Sequence, residues 1–128
     1  PSYVAYGRVA ELSLQAAINA ATGTASSLAV AASSLHAVVV EQAAWPYDEP
    51  PPWHMPMRQC LGELLLRMGL AANATAVYQA DLAEFPRNGF SLWGLQQSMQ
   101  AQPAAYTPEE VASVQAQMRE AWKDADVP

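Results

Sequence analysis

Apolar residues recur every three or four positions along six stretches of this chain, which is the spacing that places them on one face of an α-helix. The six stretches run from about residue 4 to 22, 26 to 44, 57 to 68, 72 to 84, 91 to 102 and 108 to 124. No stretch shows the sustained apolar–polar alternation that is typical of a half-buried strand. The sequence therefore predicts an all-α protein of about six helices.

Residues that start or end helices support these boundaries. Gly23 and Gly69 follow the first and third stretches, where glycine readily adopts the left-handed conformation that closes a helix. Pro46 and Pro86 follow the second and fourth stretches, and proline cannot continue a helix. The clearest start is Thr107–Glu110, which combines a capping hydroxyl, a proline in the first helical position and a carboxylate three residues after the cap.

Each predicted helix carries a set of apolar side chains that should face the core. These are Val9, Leu12, Ala16 and Ala20; Leu28, Ala32, Leu35 and Val39; Leu61, Leu64, Leu65 and Met68; Ala74, Val77, Tyr78 and Leu82; Leu92, Leu95 and Met99; and Val111, Val114, Met118 and Trp122.

The segment 45–56 differs from the rest of the chain in its proline content. Five prolines lie among residues 46–56, which excludes a helix and favours an extended, stiff connection. We favour a structural strap in which Trp45, Tyr47 and Trp53 pack on the helices. The alternative is a recognition epitope, because a proline-rich segment is already ordered before it docks on an aromatic groove.

Short connections between the helices predict three antiparallel pairs, at about residues 4–44, 57–84 and 91–124, within a single domain 1–128. The middle pair resembles a tetratricopeptide repeat. The residues that carry the resemblance are Leu61, Gly62, Gly69, Ala74, Tyr78 and Pro86.

A longer pattern extends this resemblance over roughly residues 28–127. The runs 47–53, 78–82 and 86–92 resemble the carboxy-terminal end of largely uncharacterised tetratricopeptide-containing proteins, in which a Tyr-Asp-Glu-Pro-Pro connection separates the last repeats. The resemblance implies a solenoid of helix pairs and no particular reaction, because such repeats are scaffolds whose partners vary. It also implies that Gly62 and Ala74 lie where the paired helices cross, with Leu61 and Tyr78 on either side.

In such a solenoid the first helix of each pair lines an inner groove. The positions that the resemblance implies for a partner-binding groove are Gln59, Glu63, Arg67, Phe90, Trp93, Gln97 and Gln100. We expect Trp93 to be the anchor, with Gly94 beside it leaving room for a ligand, and the glutamines to bond an extended peptide backbone. In the alternative, Trp93 packs against the last helix near Trp122.

Charge narrows the range of partners. The net charge is −6, and the six Lys and Arg residues are scattered singly, so neither nucleic acid nor an anionic membrane surface is an expected partner. Residues 12–40 contain no Asp, Glu, Lys or Arg, but Gln15, Asn19 and several Ser and Thr argue against a membrane span. A protein or peptide partner remains, and a cytoplasmic or organellar soluble face is favoured.

Catalytic and metal-binding patterns are weak. The only cysteine, Cys60, lies at a helix seam, where a free cysteine usually fills space. Cys60, His54 and the acidic pair at 48–49 lack the tight spacing of metal sites, so we expect no metal and no cofactor. The alternative to a scaffold is an enzyme or small-ligand-binding subunit with a site near His54, Glu63 and Arg67.

The two ends of the predicted array differ. The last helix presents a polar face, as a terminal repeat requires: Gln115, Gln117, Arg119, Glu120, Lys123 and Asp124. The first helix has no such face, and the chain opens without Met, so we expect a fragment of a longer protein whose further helices or partner cover that helix. The sequence thus favours a non-catalytic protein-interaction scaffold or a subunit of a larger assembly.

Overall fold

The computed structural model describes residues 2–46, 53 and 55–125, and within them it contains six α-helices and no strand. The helices are α1 (Tyr3–Thr22), α2 (Ala25–Ala43), α3 (Met57–Arg67), α4 (Ala71–Glu84), α5 (Gly89–Gln100) and α6 (Pro108–Ala121). The predictions of an all-α protein and of six helices are confirmed.

The helices begin and end at the residues that the sequence marks. Gly23 and Gly69 adopt left-handed conformations with φ of 74° and 75°, which is why glycine is suited to both positions. Before α6 the Thr107 hydroxyl accepts a hydrogen bond from the Glu110 amide, and the Glu110 carboxylate accepts one from the Thr107 amide. This reciprocal pair satisfies two amides that the first turn would otherwise leave free.

Helix α5 was predicted two residues too late. It begins at Gly89 because the Asn88 side chain accepts a hydrogen bond from the Phe90 amide at 3.1 Å and so caps the first turn. It ends at Gln100, and Gln102 lies outside the helix. There the Gln102 side-chain amide donates to the Thr75 hydroxyl at 2.9 Å, a contact that joins the end of α5 to α4.

Each helix packs against the one that follows it, and α3 also contacts α5 directly. The buried apolar side chains form one core cluster that includes residues from all six helices. Its members are Val9, Ala16, Ala31, Leu35, Val38, Met57, Leu61, Leu64, Leu65, Ala74, Tyr78, Leu92, Leu95, Met99 and Val114.

The buried face of α2 is rotated by about one residue from the predicted face. Ala31 and Val38 are fully buried, whereas the predicted Ala32 and Val39 are only partly buried. The cause lies in composition: α2 carries Ala, Ser and Val around most of its circumference, so spacing alone did not distinguish its faces.

The connection before α3 is attached to the helices at several described points. Trp45 makes an edge-to-face contact with Tyr6 of α1, with ring centroids 5.4 Å apart, and Trp53 packs against the core. The Gln42 side chain bonds the Met55 carbonyl and the Met57 amide, which fixes the start of α3 against α2. The predicted packing of Tyr47 and the position of His54 lie outside the described residues.

The outer side of α1 exposes apolar side chains, as the lack of a polar face predicted. Tyr3, Val4, Leu14 and Ile18 are all more than half exposed. In the described part of the chain, no helix combines the length and the apolar character that crossing a membrane requires.

Candidate functional site

The aromatic ring of Tyr78 lies between α3 and α5. It belongs to α4 and is only 3 % exposed. A β-carbon built on Gly62 of α3 would lie 2.5 Å from Cζ of this ring, and one built on Gly94 of α5 would lie closer still. Two glycines on neighbouring helices therefore provide the space that one ring from a third helix fills.

This packing corrects two expectations. Tyr78 was expected to one side of the crossing of Gly62 and Ala74, but its ring rests directly on Gly62, so the small residue accommodates this ring. Gly94 was expected to leave room for a ligand next to Trp93. That space is occupied by the Tyr78 ring, and Gly94 is buried.

Burial raises the pKa of Tyr78 to about 12, and the negative charges of Glu63 and of the Cys60 thiolate add to the shift. Both neighbours belong to α3, on either side of Gly62. The carboxylate of Glu63, which was predicted to line the groove, is therefore close enough to the ring of Tyr78 to act on its hydroxyl.

This shift predicts a loss of stability at high pH. An unfolded tyrosine has a pKa of 10.0, so between pH 10 and about 12 the folded chain retains a proton that the unfolded chain has lost. Because the folded state binds more protons there, Tyr78 should make the free energy of unfolding fall as pH rises through this window, and it adds no pH dependence below the window. Urea unfolding of the Tyr78→Phe variant should show a smaller fall of the free energy of unfolding between pH 10 and about 12 than the parent shows. Tyr3→Phe, at an exposed ring, should behave as the parent. An equal dependence of the free energy of unfolding on pH in all three proteins would refute the assignment of the raised pKa to Tyr78.

Helix α5 is buried on every side but one. Its buried residues are Gly89, Ser91, Leu92, Gly94, Leu95, Gln96, Ser98 and Met99. The remaining four residues form the α5 stripe: Phe90, Trp93, Gln97 and Gln100. All four were predicted for the groove, and the structure places them together on the accessible side of this helix.

Two aromatic rings dominate the α5 stripe. Phe90 is 67 % exposed and Trp93 is 47 % exposed. Trp122, the residue that follows α6, packs over Gly89 and makes an edge-to-face contact with Phe90, with ring centroids 5.6 Å apart. The predicted alternative placed Trp93 near Trp122; the ring that Trp122 contacts is Phe90.

The predicted positions on α3 differ in their exposure and in their contacts. Gln59 is partly buried, while Glu63 and Arg67 are exposed. Arg67 is turned toward α1, where its Nη2 donates to the Ala20 carbonyl at 3.2 Å. Glu63 and Arg67 line the α1–α3 cleft, a cavity of about 340 Å³ whose walls come from α1, α2 and α3 and from Trp53 and Met55 of the connection before α3.

Cys60 shows no sign of activation. Its thiol donates to Sδ of Met55 at 3.6 Å, and burial together with the charge of Glu63 raises its pKa, which lowers the thiolate fraction at neutral pH. Among the residues that the structure describes, no three His, Cys, Asp or Glu side chains come together as a metal site would require.

A buried polar network joins α4 to α5, and sequence reasoning missed it. The fully buried Asp81 accepts hydrogen bonds through Oδ2 from Ser91 at 2.5 Å and from Asn88 at 3.0 Å. Oδ1 of the same carboxylate is buried and has no hydrogen-bond partner in the described part of the chain. The available signal was the absence of any charged residue from 88 to 108, which indicates that α5 is a central helix.

A second network crosses the same interface two turns earlier on α4. The Thr75 hydroxyl lies 2.9 Å from the Ser98 hydroxyl and also accepts from the Gln102 side chain. With Tyr78 between them, these two networks fix the angle and the register of α5 on α4. The α5 stripe is thus presented by a helix that is held on several sides.

No family model, no curated protein and no solved structure matches this chain.

Proposed function

We propose that this chain is a tetratricopeptide-like array of helix pairs and that it serves as a non-catalytic scaffold, binding a partner peptide or helix along the α5 stripe. The packing of α3 supports this, because α3 contacts both α4 and α5. The first helix of one pair then lies beside the first helix of the next, which is the relation between neighbouring repeats in a helix-pair solenoid.

The observation that carries the proposal is the exposure of Phe90 and Trp93 on an otherwise buried helix. Large aromatic side chains gain the most from burial, and they dominate many protein interfaces. A ring on a rigid helix also loses little further conformational freedom when a partner covers it.

The polar half of the α5 stripe indicates how a partner would be bound. Gln97 and Gln100 follow the two aromatic residues on the same face, and each side-chain amide can both donate and accept hydrogen bonds. An extended peptide backbone offers the matching groups.

Replacing Trp93 with alanine is expected to weaken partner binding by at least about tenfold, the factor that corresponds to 1.4 kcal/mol. Phe85→Ala is the matched control, because Phe85 is an aromatic residue of similar exposure, 44 % against 47 %, that lies outside the stripe. Partners captured by the parent chain would be purified and their affinities for the two variants measured by calorimetry. Equal losses for both variants, or none for Trp93→Ala with the helix content unchanged, would contradict the proposal.

The open face of α1 supports membership of a larger assembly. Its exposed Leu14 and Ile18 lie one helical turn apart, which is the pattern of a helix that a further element covers. We propose that this face is covered in the functional protein, either by more helices of the array or by another subunit.

A further inference from the structure

The α1–α3 cleft is formed by the short side chains of α1. Where α1 faces α3, it presents Ala16, Ala17 and Ala20, and these leave a gap that larger residues would fill. Leu35 of α2 and Leu64 of α3 contribute to the walls. The resulting volume of about 340 Å³ lies at the small end of the range for ligand pockets, and its walls are mainly apolar, as such pockets require.

Two opposite charges lie at this cleft without pairing with each other. Glu63 and Arg67 are one turn apart on α3, a spacing at which a glutamate and an arginine usually interact. Instead Arg67 donates to the Ala20 carbonyl at the end of α1, and Glu63 forms no ion pair within the described part of the chain. A carboxylate and a guanidinium are thus both available at one apolar cavity.

A third polar group faces the same space. The hydroxyl of Ser13, in the middle of α1, is buried at the cleft and makes no hydrogen bond to any residue that the structure describes. A serine inside a helix commonly bonds the carbonyl four residues earlier, but the Ser13 hydroxyl does not. It can therefore bond a group inside the cleft.

From these features we infer that the α1–α3 cleft binds a small apolar zwitterion, a molecule with an apolar body and with ammonium and acidic groups close together. The body lies between the alanines of α1 and the leucines of α2 and α3. The ammonium group pairs with Glu63, and the carboxylate or phosphate bonds the remaining N–H groups of Arg67, which suit planar acidic groups. This site is separate from the α5 stripe.

Free amino acids and zwitterionic lipids share this chemistry, so both serve as probes. L-Tryptophan represents the first source and a short-chain phosphocholine the second. Tryptamine lacks the acidic group of tryptophan, and indolepropionate lacks the ammonium group. Cys60 reports occupancy, because it lines the cleft and is the only cysteine in the chain.

Binding is measured by calorimetry and by the rate at which iodoacetamide alkylates Cys60 at one fixed pH. At least one of the two zwitterions should slow the alkylation of Cys60. If tryptophan does so, tryptamine and indolepropionate should each bind about tenfold more weakly than tryptophan. If the phosphocholine does so, an uncharged ether of the same chain length should bind about tenfold more weakly than the phosphocholine. Arg67→Gln should remove the preference for tryptophan over tryptamine. Glu63→Gln should remove the preference for tryptophan over indolepropionate. For the phosphocholine, each variant should bind it about tenfold more weakly than the parent does.

The controls separate this site from the α5 stripe and from loss of folding. Glu109→Gln and Arg119→Gln, on the exposed side of α6, should bind like the parent chain, and so should Trp93→Ala, even if the α5 stripe binds no partner. All variants should keep the helical circular dichroism of the parent. The inference is overturned if no zwitterion protects Cys60 at millimolar concentration, or if the probes that lack a charge bind as well as the zwitterion.

Discussion

Replacing Gly94 with alanine is expected to lower the free energy of unfolding by about 1–3 kcal/mol, the usual cost of overpacking a core. Alanine is the better helix former, so propensity alone would predict the opposite sign. The added methyl group would overlap the ring of Tyr78, which lies against Gly62 on its other side and is 3 % exposed. The ring cannot move away without separating α3 from α5.

The chain contains a matched control for this change. Gly7 is also a helical glycine, and a β-carbon built on it meets nothing within 4 Å. Gly7→Ala should therefore stabilise the protein by about 0.5–1 kcal/mol. In a Tyr78→Ala background, Gly94→Ala should no longer destabilise. Urea unfolding of the parent chain and of these four variants decides the matter, and a stabilising Gly94→Ala in the parent chain would show that the ring does not lie against this helix.

Replacing Asp81 with alanine is expected to cost about 2–4 kcal/mol. The carboxylate accepts hydrogen bonds from Ser91 and Asn88. Ser91 is fully buried, so in the variant its hydroxyl loses this acceptor and is not reached by water. The unpartnered Oδ1 moderates the loss, because removing the side chain also removes one unsatisfied buried atom.

A double-mutant cycle separates this hydrogen bond from the general effect of removing a side chain. Asp81→Ala and Ser91→Ala should each destabilise, and the double variant should cost less than their sum, because both remove the same interaction. Asp124→Ala, at an exposed position near the end of α6, should change stability little. Strict additivity between Asp81 and Ser91 would refute the proposed coupling of α4 to α5.

Much of the secondary structure could be predicted because its signals are local. Gly23, Gly69 and Thr107 act within one turn of their own positions, and the structure confirms all three. Helix α5 was misplaced although its signal is local too. Asn88 caps it, but Ser91 offers the same capping chemistry three residues later, and spacing does not choose between them.

The packing between helices was less predictable, because it depends on contacts between distant residues. The residues next to Gly94 in the sequence do not predict its contact, because its partner Tyr78 belongs to another helix. Asp81 looked like an ordinary surface residue near the end of a helix, yet it is fully buried because Ser91 and Asn88 return to meet it. Only after the helices are assembled do these groups come together.

The candidate surfaces show the same division. The four positions of the α5 stripe were implied by the resemblance to tetratricopeptide repeats, and they share the accessible side of α5. Arg67 was assigned to the same groove but is turned toward α1 by its bond to the Ala20 carbonyl. The α1–α3 cleft depends on the distance between two helices, which no sequence pattern encoded.

The position of the Tyr78 ring can be measured most directly by nuclear Overhauser contacts in solution. If the ring lies between α3 and α5, its protons should show contacts to the α-protons of both Gly62 and Gly94. Contacts to only one of the two glycines, or to neither, would contradict the packing that sets α3 and α5 side by side.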